Sequence, residues 1–481
     1  MAHNKFLPRV LAAAAAMMLL AGCSSKADPG FSPANPVNIT IWTYYNGEQL
    51  EAFNALVDEF NSTVGKEQGI TVESSSHGSV TDLENNVLAS AEGKVGAEAM
   101  PNIFSAYADT AYALDEMGQI ADLSDYLSEE DRAAFIEDYL SEGDFSGSGS
   151  IKIFPVAKSA ELLFLNETDW EPFAAATGAT YDDLATIEGL VSVAERYYEW
   201  TDAQTPDIPN DGRAFFGRDA MANYMLIGAK QLGCTIFDAQ DGCMTLNFDH
   251  DAVRTLWDNY YVPFIKGYFS ASGRFRSDDV KTGNIIAYVG SSSSATFFPT
   301  QVIADDMDSH DITRKALESP KFANGEDYAV QQGAGMVVTK ASDAEIQASL
   351  VFLKWFTSPE HNITFSVDSG YLPVTHEGNS IDAIRISGLA LSDEMDEVLS
   401  AAVDTVNENH LYTPRAFSGG TNARAILEYS MSDKASADRA AVKEAMAQGQ
   451  SFEEASAQFL SDECFEAWYQ DTLASLEAFQ G

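Results

Sequence analysis

Basic residues are scarce in this sequence. Its 481 residues include 28 lysines and arginines against 73 aspartates and glutamates, which gives a formal net charge of −45. Phosphate backbones and anionic lipid surfaces attract clusters of basic side chains, so this composition excludes nucleic acid as a natural partner. Hydrophobic residues still make up 45% of the chain. That share separates it from acidic disordered proteins and supplies material for a large core.

The sequence also lacks the short motifs of common enzymes. It contains no Gly-x-Ser-x-Gly elbow, no His-Glu-x-x-His, no Walker loop and no complete dinucleotide fingerprint. Beyond the N-terminal segment the histidines stand singly, at positions 77, 250, 310, 361, 376 and 410, without metal-ligand spacing. We therefore expect a protein that is not an enzyme, with no catalytic residue, no metal site and no cofactor.

Long apolar runs are absent beyond the N-terminal segment. There, Lys5 and Arg9 precede small and apolar residues at positions 10–21, a run too short to span a bilayer. This pattern is typical of a signal peptide, which we place at residues 1–22. Its removal leaves 26 basic against 73 acidic residues, a net charge of −47.

Cysteine is rare, and the first one stands at the end of the signal. Positions 20–23 read Leu-Ala-Gly-Cys, which resembles the lipobox of bacterial lipoproteins. The resemblance implies that Cys23 is lipidated and anchors the protein to the membrane on its extracytoplasmic side. Residues 23–36, a polar stretch with three prolines, then form a tether. The alternative is an ordinary cleaved signal in which Cys23 is incidental.

Two further cysteines flank a short loop. Cys234 and Cys243 enclose an Asp-Gly turn signal between short apolar runs. A disulfide across this loop is geometrically plausible and worth about 2.5–3 kcal/mol, and we expect it rather than its alternative, two reduced thiols. Cys464 is left over and is expected to pack in a C-terminal helix.

The chain begins with a βα alternation. Residues 38–42 alternate polar and apolar side chains like a strand, and Asn46 then precedes apolar residues at helical spacing. A strand at 70–72, a helix across 80–91 and a strand ending at Tyr107 follow. This order predicts an α/β fold with an open, mostly parallel sheet, whose ligands bind beyond the carboxyl ends of the strands.

A Gly/Ser stretch at 146–150 precedes two predicted strands, 151–156 and 161–165, which we interpret as the crossing between two lobes. Helices at 184–200, 220–232 and 251–261 and a strand at 284–289 then predict a second α/β lobe. The strand 335–338 and the helix 348–356 return to the first lobe, and the tail from 391 to 479 is helical in pattern.

Five short motifs occur in order along the chain: Ile41-Trp42, Pro101-Asn102-Ile103-Phe104, the strand 162–166, Trp355-Phe356-Thr357-Ser358-Pro359-Glu360 and Gly370-Tyr371-Leu372-Pro373-Val374. Together with the lipobox, they resemble the extracellular solute-binding proteins of bacterial ABC importers, a family that includes maltose-binding and glycerol-3-phosphate-binding proteins. The resemblance covers essentially the whole chain after the signal peptide.

The resemblance implies a two-lobed periplasmic-binding-protein-like α/β fold, with lobes interleaved in sequence around a multi-stranded hinge. The expected bounds are 37–157 and 331–373 for the first lobe, and 158–330 and 374–481 for the second. It implies a monomer that captures a small polar solute, a sugar or sugar-phosphate relative, and delivers it to the transmembrane subunits of an ABC permease. A carbohydrate is the favoured solute, and a phosphorylated polyol such as glycerol-3-phosphate is the alternative.

The resemblance also implies a set of solute contacts in the loops that face the cleft. The matching positions are Tyr44, Tyr45, Glu48, Tyr107, Asp109, Ser159, Glu161, Arg218, Asp219, Ser292, Ser293, Gly333, Tyr371 and Arg415. Tyrosine offers a ring face and a hydroxyl, carboxylates accept from sugar hydroxyls, and arginine binds anions. At each position the alternative is a core residue, a helix cap or a solvated loop.

Two features bear on the charge of the solute. Maltose-type binders carry a tryptophan after the strand at 284–289, whereas this chain has serines at 291–294, which predict an anion nest or a solvated loop. Arg218 and Arg415 would provide positive charge, but Glu48, Asp109 and Glu161 are close enough in the predicted site to neutralise it. We therefore favour a neutral sugar. A surface hydrolase and a purely structural lipoprotein are the rival classes.

Overall fold

The computed structural model describes residues 30–240, 242–303 and 309–480. No helix in these ranges is both long and apolar enough to cross a membrane. The predicted signal peptide and the predicted lipidation at Cys23 lie outside the described residues.

The last residues of the predicted tether belong to the folded body. Phe31 is buried in a hydrophobic core, and Ser32 and Asn35 form a short antiparallel bridge. Burying a phenylalanine side chain contributes about 1.5–3 kcal/mol, which favours docking of this segment despite its polar composition.

The strands, numbered in chain order, are β1 (Val37–Thr43), β2 (Ile70–Ser76), β3 (Ile103–Ala106), β4 (Glu161–Asn166), β5 (Phe216–Arg218), β6 (Phe237–Gln240), β7 (Cys243–Leu246), β8 (Ala287–Ser291), β9 (Gln301–Val302), β10 (His310–Asp311), β11 (Arg314–Glu318), β12 (Tyr328–Val330), β13 (Gly335–Val338) and β14 (His410–Tyr412).

The helices are α1 (Gly47–Ser62), α2 (Val64–Gln68), α3 (Val80–Ala91), α4 (Ala108–Glu116), α5 (Glu129–Ala134), α6 (Glu137–Ser141), α7 (Glu167–Thr177), α8 (Ile187–Asp202), α9 (Met221–Gln231), α10 (His250–Lys266), α11 (Arg276–Lys281), α12 (Asp343–Phe356), α13 (Pro359–Ser369), α14 (Ile381–Ile386), α15 (Asp393–Glu408), α16 (Gly420–Ala447), α17 (Phe452–Ser456) and α18 (Asp462–Glu477). Short 3₁₀ turns cover Tyr181–Leu184 and Ser292–Phe297.

One four-stranded sheet has the order β13-β3-β1-β2. β1 runs parallel to β2 and β3, and β13 joins the edge antiparallel to β3. Ile39 and Ile41 of β1 are fully buried and share a core with Phe53 and Phe60 of α1. We call this sheet and the helices packed on it the first lobe.

A second four-stranded sheet has the order β11-β4-β8-β5. β5 is parallel to β8, whereas β4 is antiparallel to both β8 and β11. α16 packs against α9, α10 and α18, and these helices share a core with β4 and β8. We call this unit the second lobe. Its sheet is mixed, whereas β1, β2 and β3 of the first lobe are parallel.

The two sheets interleave in sequence. Strands of the first sheet come from 37–106 and 335–338, and those of the second come from 161–318. This order agrees with the expected crossings, while the residue bounds of the lobes stay a prediction.

The crossing segment forms fewer strand pairs than expected. The predicted strand 151–156 contributes a single bridge, between Phe154 and Met336, and further bridges join Lys158 to Leu372 and Ser159 to Gln332. The segment therefore runs as irregular extended chain between two others. Its apolar run reflects burial, which strands and buried connections share.

The first helix begins where the sequence predicts. Asn46 occupies the position before α1 with an extended backbone, but its side chain makes no capping hydrogen bond. Its amide instead donates to the carbonyl oxygens of Tyr44 and Gly78. By contrast, the Ser79 hydroxyl caps α3, which covers the predicted range.

The predicted disulfide between Cys234 and Cys243 is wrong, since the structure contains Cys234, Cys243 and Cys464 as free thiols. β6 and β7 form a hairpin in which Cys243 pairs with Gln240 beside the turn. Cys234 precedes β6 at the open end, where its thiol contacts the carbonyl of Asn247 at 3.3 Å. The turn signal was correct, but the hairpin holds the two thiols at opposite ends.

Candidate functional site

Loops at one edge of each sheet carry the side chains of the candidate site. In the first lobe, Tyr44 follows β1 and Tyr107 follows β3, and these parallel strands end at the same edge. In the second lobe, Arg218 ends β5, Ser291 ends the parallel strand β8, and Glu161 begins the antiparallel strand β4 opposite Ser291. The sequence pattern and the sheet topology thus gather polar groups at two edges.

Three tyrosines form a cluster on the first lobe. The hydroxyls of Tyr44 and Tyr371 lie 3.2 Å apart. Burial raises the pKa of Tyr107 well above its usual value, and the neighbouring Tyr371 raises it further. All three phenols stay neutral, and they offer ring faces and hydroxyls in one place, as a polar ring-shaped solute requires.

Tyr45 lies beneath this cluster, in the core of the first lobe. Its side chain is 1% exposed, and its ring lies 5.4 Å from those of Phe53 and Phe365. The predicted solute contact of Tyr45 is corrected to a core position, because successive residues after a strand point to opposite sides.

Glu48 is replaced in the site by its neighbour. Glu48 is exposed in the first turn of α1, whereas Gln49 is buried and its amide donates to the carbonyl of Ser293 at 3.1 Å. One residue along a helix turns the side chain by about 100°, so the predicted carboxylate faces solvent and the glutamine faces the second lobe.

The serine turn after β8 joins the lobes. The Ser292 hydroxyl is fully buried and donates to the carbonyl of Gly370 at 2.9 Å. The Ser293 hydroxyl lies 2.8 Å from that of Ser291 and also interacts with Tyr371. The hydroxyls that predicted an anion nest are thus largely satisfied within the chain, and only Ser293 reaches the tyrosine cluster.

A chain of polar contacts crosses the second-lobe side of the cleft. Arg218 forms a buried ion pair with Glu161, and Glu161 accepts from the amide of Asn223 at 2.7 Å. The side-chain oxygen Oδ1 of Asn223 accepts from the guanidinium of Arg424, which lies in the second turn of α16. Arg218 also lies over the ring of Tyr224, and its Nε has no partner.

Asp109 connects the first lobe to this chain. Burial raises the pKa of Asp109 from 3.8 to about 6, attraction to Arg424 opposes the rise, and Glu84 and Glu142 add to it. Asp109 also packs so closely against Gly420 that a Cβ there would overlap its carboxylate. The predicted acidic residue is therefore at the cleft, facing a cation of the other lobe.

Two hinge side chains hold unused hydrogen-bonding atoms. Ser159 and Gln332 pair across an antiparallel bridge, which places both side chains on one face. The Ser159 hydroxyl and the Gln332 Oε1 are buried and have no partner. Buried polar atoms are normally satisfied, so this pair is available to a bound solute.

Gly333 serves the backbone of the hinge. Its φ is +94°, and a Cβ would lie 2.9 Å from the carbonyl of Ala157, so only glycine fits. Its carbonyl accepts from the buried Lys158 at 2.8 Å, and Lys158 is also paired with Glu142. Gly333 therefore has a structural role, and its contact with the solute stays a prediction.

Asp219 is held within the second lobe. Its carboxylate accepts from the backbone N–H of Arg276 at 3.2 Å and lies 3.6 Å from the Arg276 side chain. Burial raises the pKa of Asp219 to about 6, and Arg276 opposes that rise. These contacts assign Asp219 to positioning α11 after β5 rather than to the solute.

Arg415 is exposed and lies beside the turn at Gly147 rather than beside the cleft residues described above. Arg424 is the late arginine that reaches the cleft. Arg415 is predicted because it matches a basic residue of the family on a late loop. Arg424 lies one turn inside α16, and its position near the start of that helix is the signal in the sequence.

The cavity beside Arg218 and Tyr224 has a volume of about 40 Å³. This space is large enough for a few water molecules. Among the described residues, no group of three or more histidine, cysteine, aspartate or glutamate side chains could hold a metal ion. The arrangement of the cleft is suited to binding a polar solute by hydrogen bonds and ring contacts.

A sequence model of the bacterial extracellular solute-binding protein family matches residues 55–384. The chain belongs to this family. No curated protein sequence matches this solute-binding protein significantly. Membership implies an extracytoplasmic location.

Solved structures share the fold of this solute-binding protein. The cyclic alpha-maltosyl-1,6-maltose binding protein of Arthrobacter globiformis is 17% identical, with a TM-score of 0.65, over 92% of this chain and 100% of that one. UgpB of Mycobacterium tuberculosis, in complex with glycerophosphocholine, is 16% identical, with a TM-score of 0.65, over 92% of this chain and 98% of that one. The Listeria monocytogenes ABC substrate-binding protein in complex with cycloalternan is 15% identical, with a TM-score of 0.64, over 92% of this chain and 99% of that one.

Proposed function

We propose that this solute-binding protein captures a carbohydrate, a mono- or oligosaccharide, between the two lobes and delivers it to the membrane permease of an ABC importer. The observation that carries the proposal is the cluster of Tyr44, Tyr107 and Tyr371 beside Arg218, whose charge is already paired with Glu161. Ring faces bind the apolar face of a sugar, and neutral hydrogen-bonding groups bind its hydroxyls.

The solute-facing set differs from the predicted one at several positions. We assign solute contact to Tyr44, Tyr107, Tyr371, Ser159 and Gln332 at the first lobe and hinge. Asn223, Ser293, Arg218 and Arg424 complete the set from the second lobe. Ser159 and Gln332 are the clearest candidates, since a sugar hydroxyl would satisfy the Gln332 oxygen, which otherwise stays buried without a donor.

The pairing of charges favours a neutral solute over a phosphorylated one. Arg218 is paired with Glu161, and Arg424 lies near Asp109. A phosphate ester would have to compete with both carboxylates and would approach Glu84 and Glu142. Among the structural neighbours the glycerophosphocholine complex keeps the phosphorylated polyol as the alternative solute to test.

We further propose that the protein binds its solute without turnover, acts as a monomer and is held to the membrane by a lipid on Cys23. The family and the structural neighbours named above are binding proteins, which supports the first part.

A thermal-shift panel of mono-, di- and oligosaccharides, polyols and their phosphates tests the solute class. A ligand at a hundred times its Kd stabilises the folded protein by about 2.7 kcal/mol if only the folded state binds. We expect a neutral sugar to raise the Tm and phosphate esters to have no effect. Tight binding of a phosphate ester would overturn the neutral-sugar assignment, and no shift from any compound would overturn the carbohydrate proposal.

Tyr107→Ala is the matched test of the site. It should abolish the Tm shift of the sugar found in the panel, because the ring platform is lost. Tyr126→Ala is the control, since Tyr126 is a partly buried tyrosine that donates to Asp343 outside the cluster. An equal loss of binding in both variants would contradict the assignment.

A further inference from the structure

Helix α4 contacts the second lobe at two points one turn apart. A Cβ on Gly242, in the turn of the β6–β7 hairpin, would overlap the Tyr112 hydroxyl, and a Cβ on Gly420 would overlap the Asp109 carboxylate. Residues three apart share one helix face. Asp109 and Tyr112 therefore form a single docking face on α4.

The two glycines also belong to one surface. The backbone N–H of Ser418 donates to the carbonyl of Gly242 at 3.2 Å, and the next residue before it, Phe417, packs on Phe237 with ring centroids 5.3 Å apart. The hairpin and the start of α16 are thus tied together and present both glycines to α4 as a unit.

Gly420 has no conformational reason to be glycine. It is the first residue of α16 and lies outside the left-handed region, in which Gly419 has a φ of +80°. In a helix interior alanine is more stable than glycine by about 1 kcal/mol. The missing side chain is explained by the space that Asp109 occupies.

Two positive groups of α16 partly offset the cost of burying the Asp109 carboxylate. Asp109 approaches the start of a 28-residue helix, where the backbone dipoles give a partial positive charge that attracts a carboxylate. Arg424, four residues after Gly420 on the same helix, adds a full positive charge. The contact therefore combines close packing with attraction across the two lobes.

We propose that α4 is a latch: Asp109 and Tyr112 dock on Gly420 and Gly242 as the lobes close, and the space at Gly420 decides whether closure is completed. The closing motion rests on the proposed function. Asp109 and Tyr112 are positioning residues, which act on solute capture through closure.

A cross-link between the lobes measures closure without any solute. Glu116 is exposed one turn after Tyr112 on α4, and Cys243 is exposed directly after Gly242. Burial raises the pKa of Tyr112, and Glu116 and Cys243 raise it further, so both residues lie near its hydroxyl. In a Cys464→Ser background, Glu116→Cys and the native Cys243 should be joined by a short bismaleimide, with Cys243→Ser as the blank.

Gly420→Ala should slow this cross-linking about tenfold, because an overpacked contact must be relieved before the lobes close. The double change Gly420→Ala with Asp109→Ala should restore the rate, since the carboxylate no longer fills the space. Gly189→Ala is the matched control: Gly189 also lies in the first turn of a helix, α8, and its Cβ would overlap Asp183 within the second lobe. It should lower the Tm and leave the rate unchanged.

Equal rates in Gly420→Ala and its parent would overturn the latch, as would a double variant that folds normally by circular dichroism but stays slow. Absence of cross-linking in the parent would overturn the contact itself. The expected rates together with no ligand from the sugar panel would support the latch and reject the carbohydrate proposal, so the two failures are separate.

Discussion

Two buried cations near the cleft, Arg218 and Lys158, are each paired with a carboxylate. Arg218 is matched by Glu161, and Lys158 by Glu142, with all four side chains at most 5% exposed. Removing one partner of a buried pair costs about 3–5 kcal/mol, because the remaining charge is left uncompensated. These pairs hold the edges of the hinge in place and leave the site close to neutral.

Arg424 and Arg415 offer a matched comparison of two arginines nine residues apart. Arg424→Ala should weaken sugar binding by about 1.5–3 kcal/mol, roughly tenfold to a hundredfold, as expected for the loss of a charged hydrogen-bond donor. Arg415→Ala should leave the affinity unchanged, because Arg415 is exposed beside Gly147.

Calorimetry of both variants in low and high salt checks this prediction. Affinity for a neutral sugar should barely respond to added salt, whereas affinity for a phosphate ester should fall. A larger loss of affinity in Arg415→Ala than in Arg424→Ala would show that Arg415, not Arg424, contacts the solute.

One residue should carry the whole membrane anchor. Cys23→Ala is expected to release the protein into the soluble fraction, because a lipid chain is the only membrane attachment that the sequence predicts after signal cleavage. Metabolic labelling with a palmitate analogue, followed by fractionation, measures it. Label that persists in the variant would show that the lipobox interpretation is wrong.

Residue roles were the least predictable part of the site. Glu48 and Arg415 are the right chemical types in the right loops, yet Gln49 and Arg424 reach the cleft instead. The direction of a side chain on a helix changes by about 100° per residue, so an error of one position moves the side chain to a different face. Gln332 gives no signal in sequence, because its unpartnered oxygen is evident only once the bridge to Ser159 is formed.

Whole elements were more predictable, since their periodicity is long. α3 covers the expected range, and β1 and β13 lie where their alternating or buried residues indicate. The exception is 151–156, where burial without a continuous partner strand leaves one bridge. The disulfide failed because the turn signal predicts a hairpin but does not fix where along it the two thiols lie.

The serine turn after β8 illustrates a structural role in an element that resembles a binding loop. Ser292→Ala should destabilise the fold by about 1–3 kcal/mol, because the carbonyl of Gly370 would lose its buried donor. Ser294→Ala is the control, since that hydroxyl donates to the carbonyl of Ser291 within the same turn and its other contact, Tyr288, lies on the strand that precedes the turn.

Chemical denaturation of the two serine variants measures the difference. Equal stability of Ser292→Ala and the unchanged protein, together with weaker sugar binding, would make Ser292 a solute ligand after all.

At the scale of the whole molecule, the interleaved lobes meet at more than the hinge. Gln49 reaches the serine turn from α1, and α4 reaches the β6–β7 hairpin and α16. Each contact joins segments more than a hundred residues apart in sequence, so no local pattern predicts it. The proposed latch therefore predicts that closure depends on surfaces that lie beside the solute as well as on the solute itself.

The proposed latch predicts that closure depends on pH through Asp109. With Asp109 docked on α16, its pKa is about 6, raised by burial, opposed by Arg424 and increased by Glu84 and Glu142. In an open form its carboxyl would be hydrated and return toward 3.8. The closed form thus binds the proton more tightly, so closure gains stability as pH falls and loses it as pH rises from about 4 through about 6.

Sugar affinity should accordingly strengthen severalfold from pH 7.5 to pH 5, and Asp109→Asn should flatten the profile by mimicking the protonated form. Asp219 is the control: its pKa is also about 6, but its partner Arg276 lies in the same lobe, so its proton is bound alike in open and closed forms. Asp219→Asn should change the pH dependence of the Tm and leave that of affinity intact. Because acid also reduces the repulsion within a chain of net charge −45, the deciding quantity is the difference between each variant and the unchanged protein. If the affinity of Asp109→Asn keeps the pH dependence of the unchanged protein, another group takes up the proton and Asp109 does not control closure.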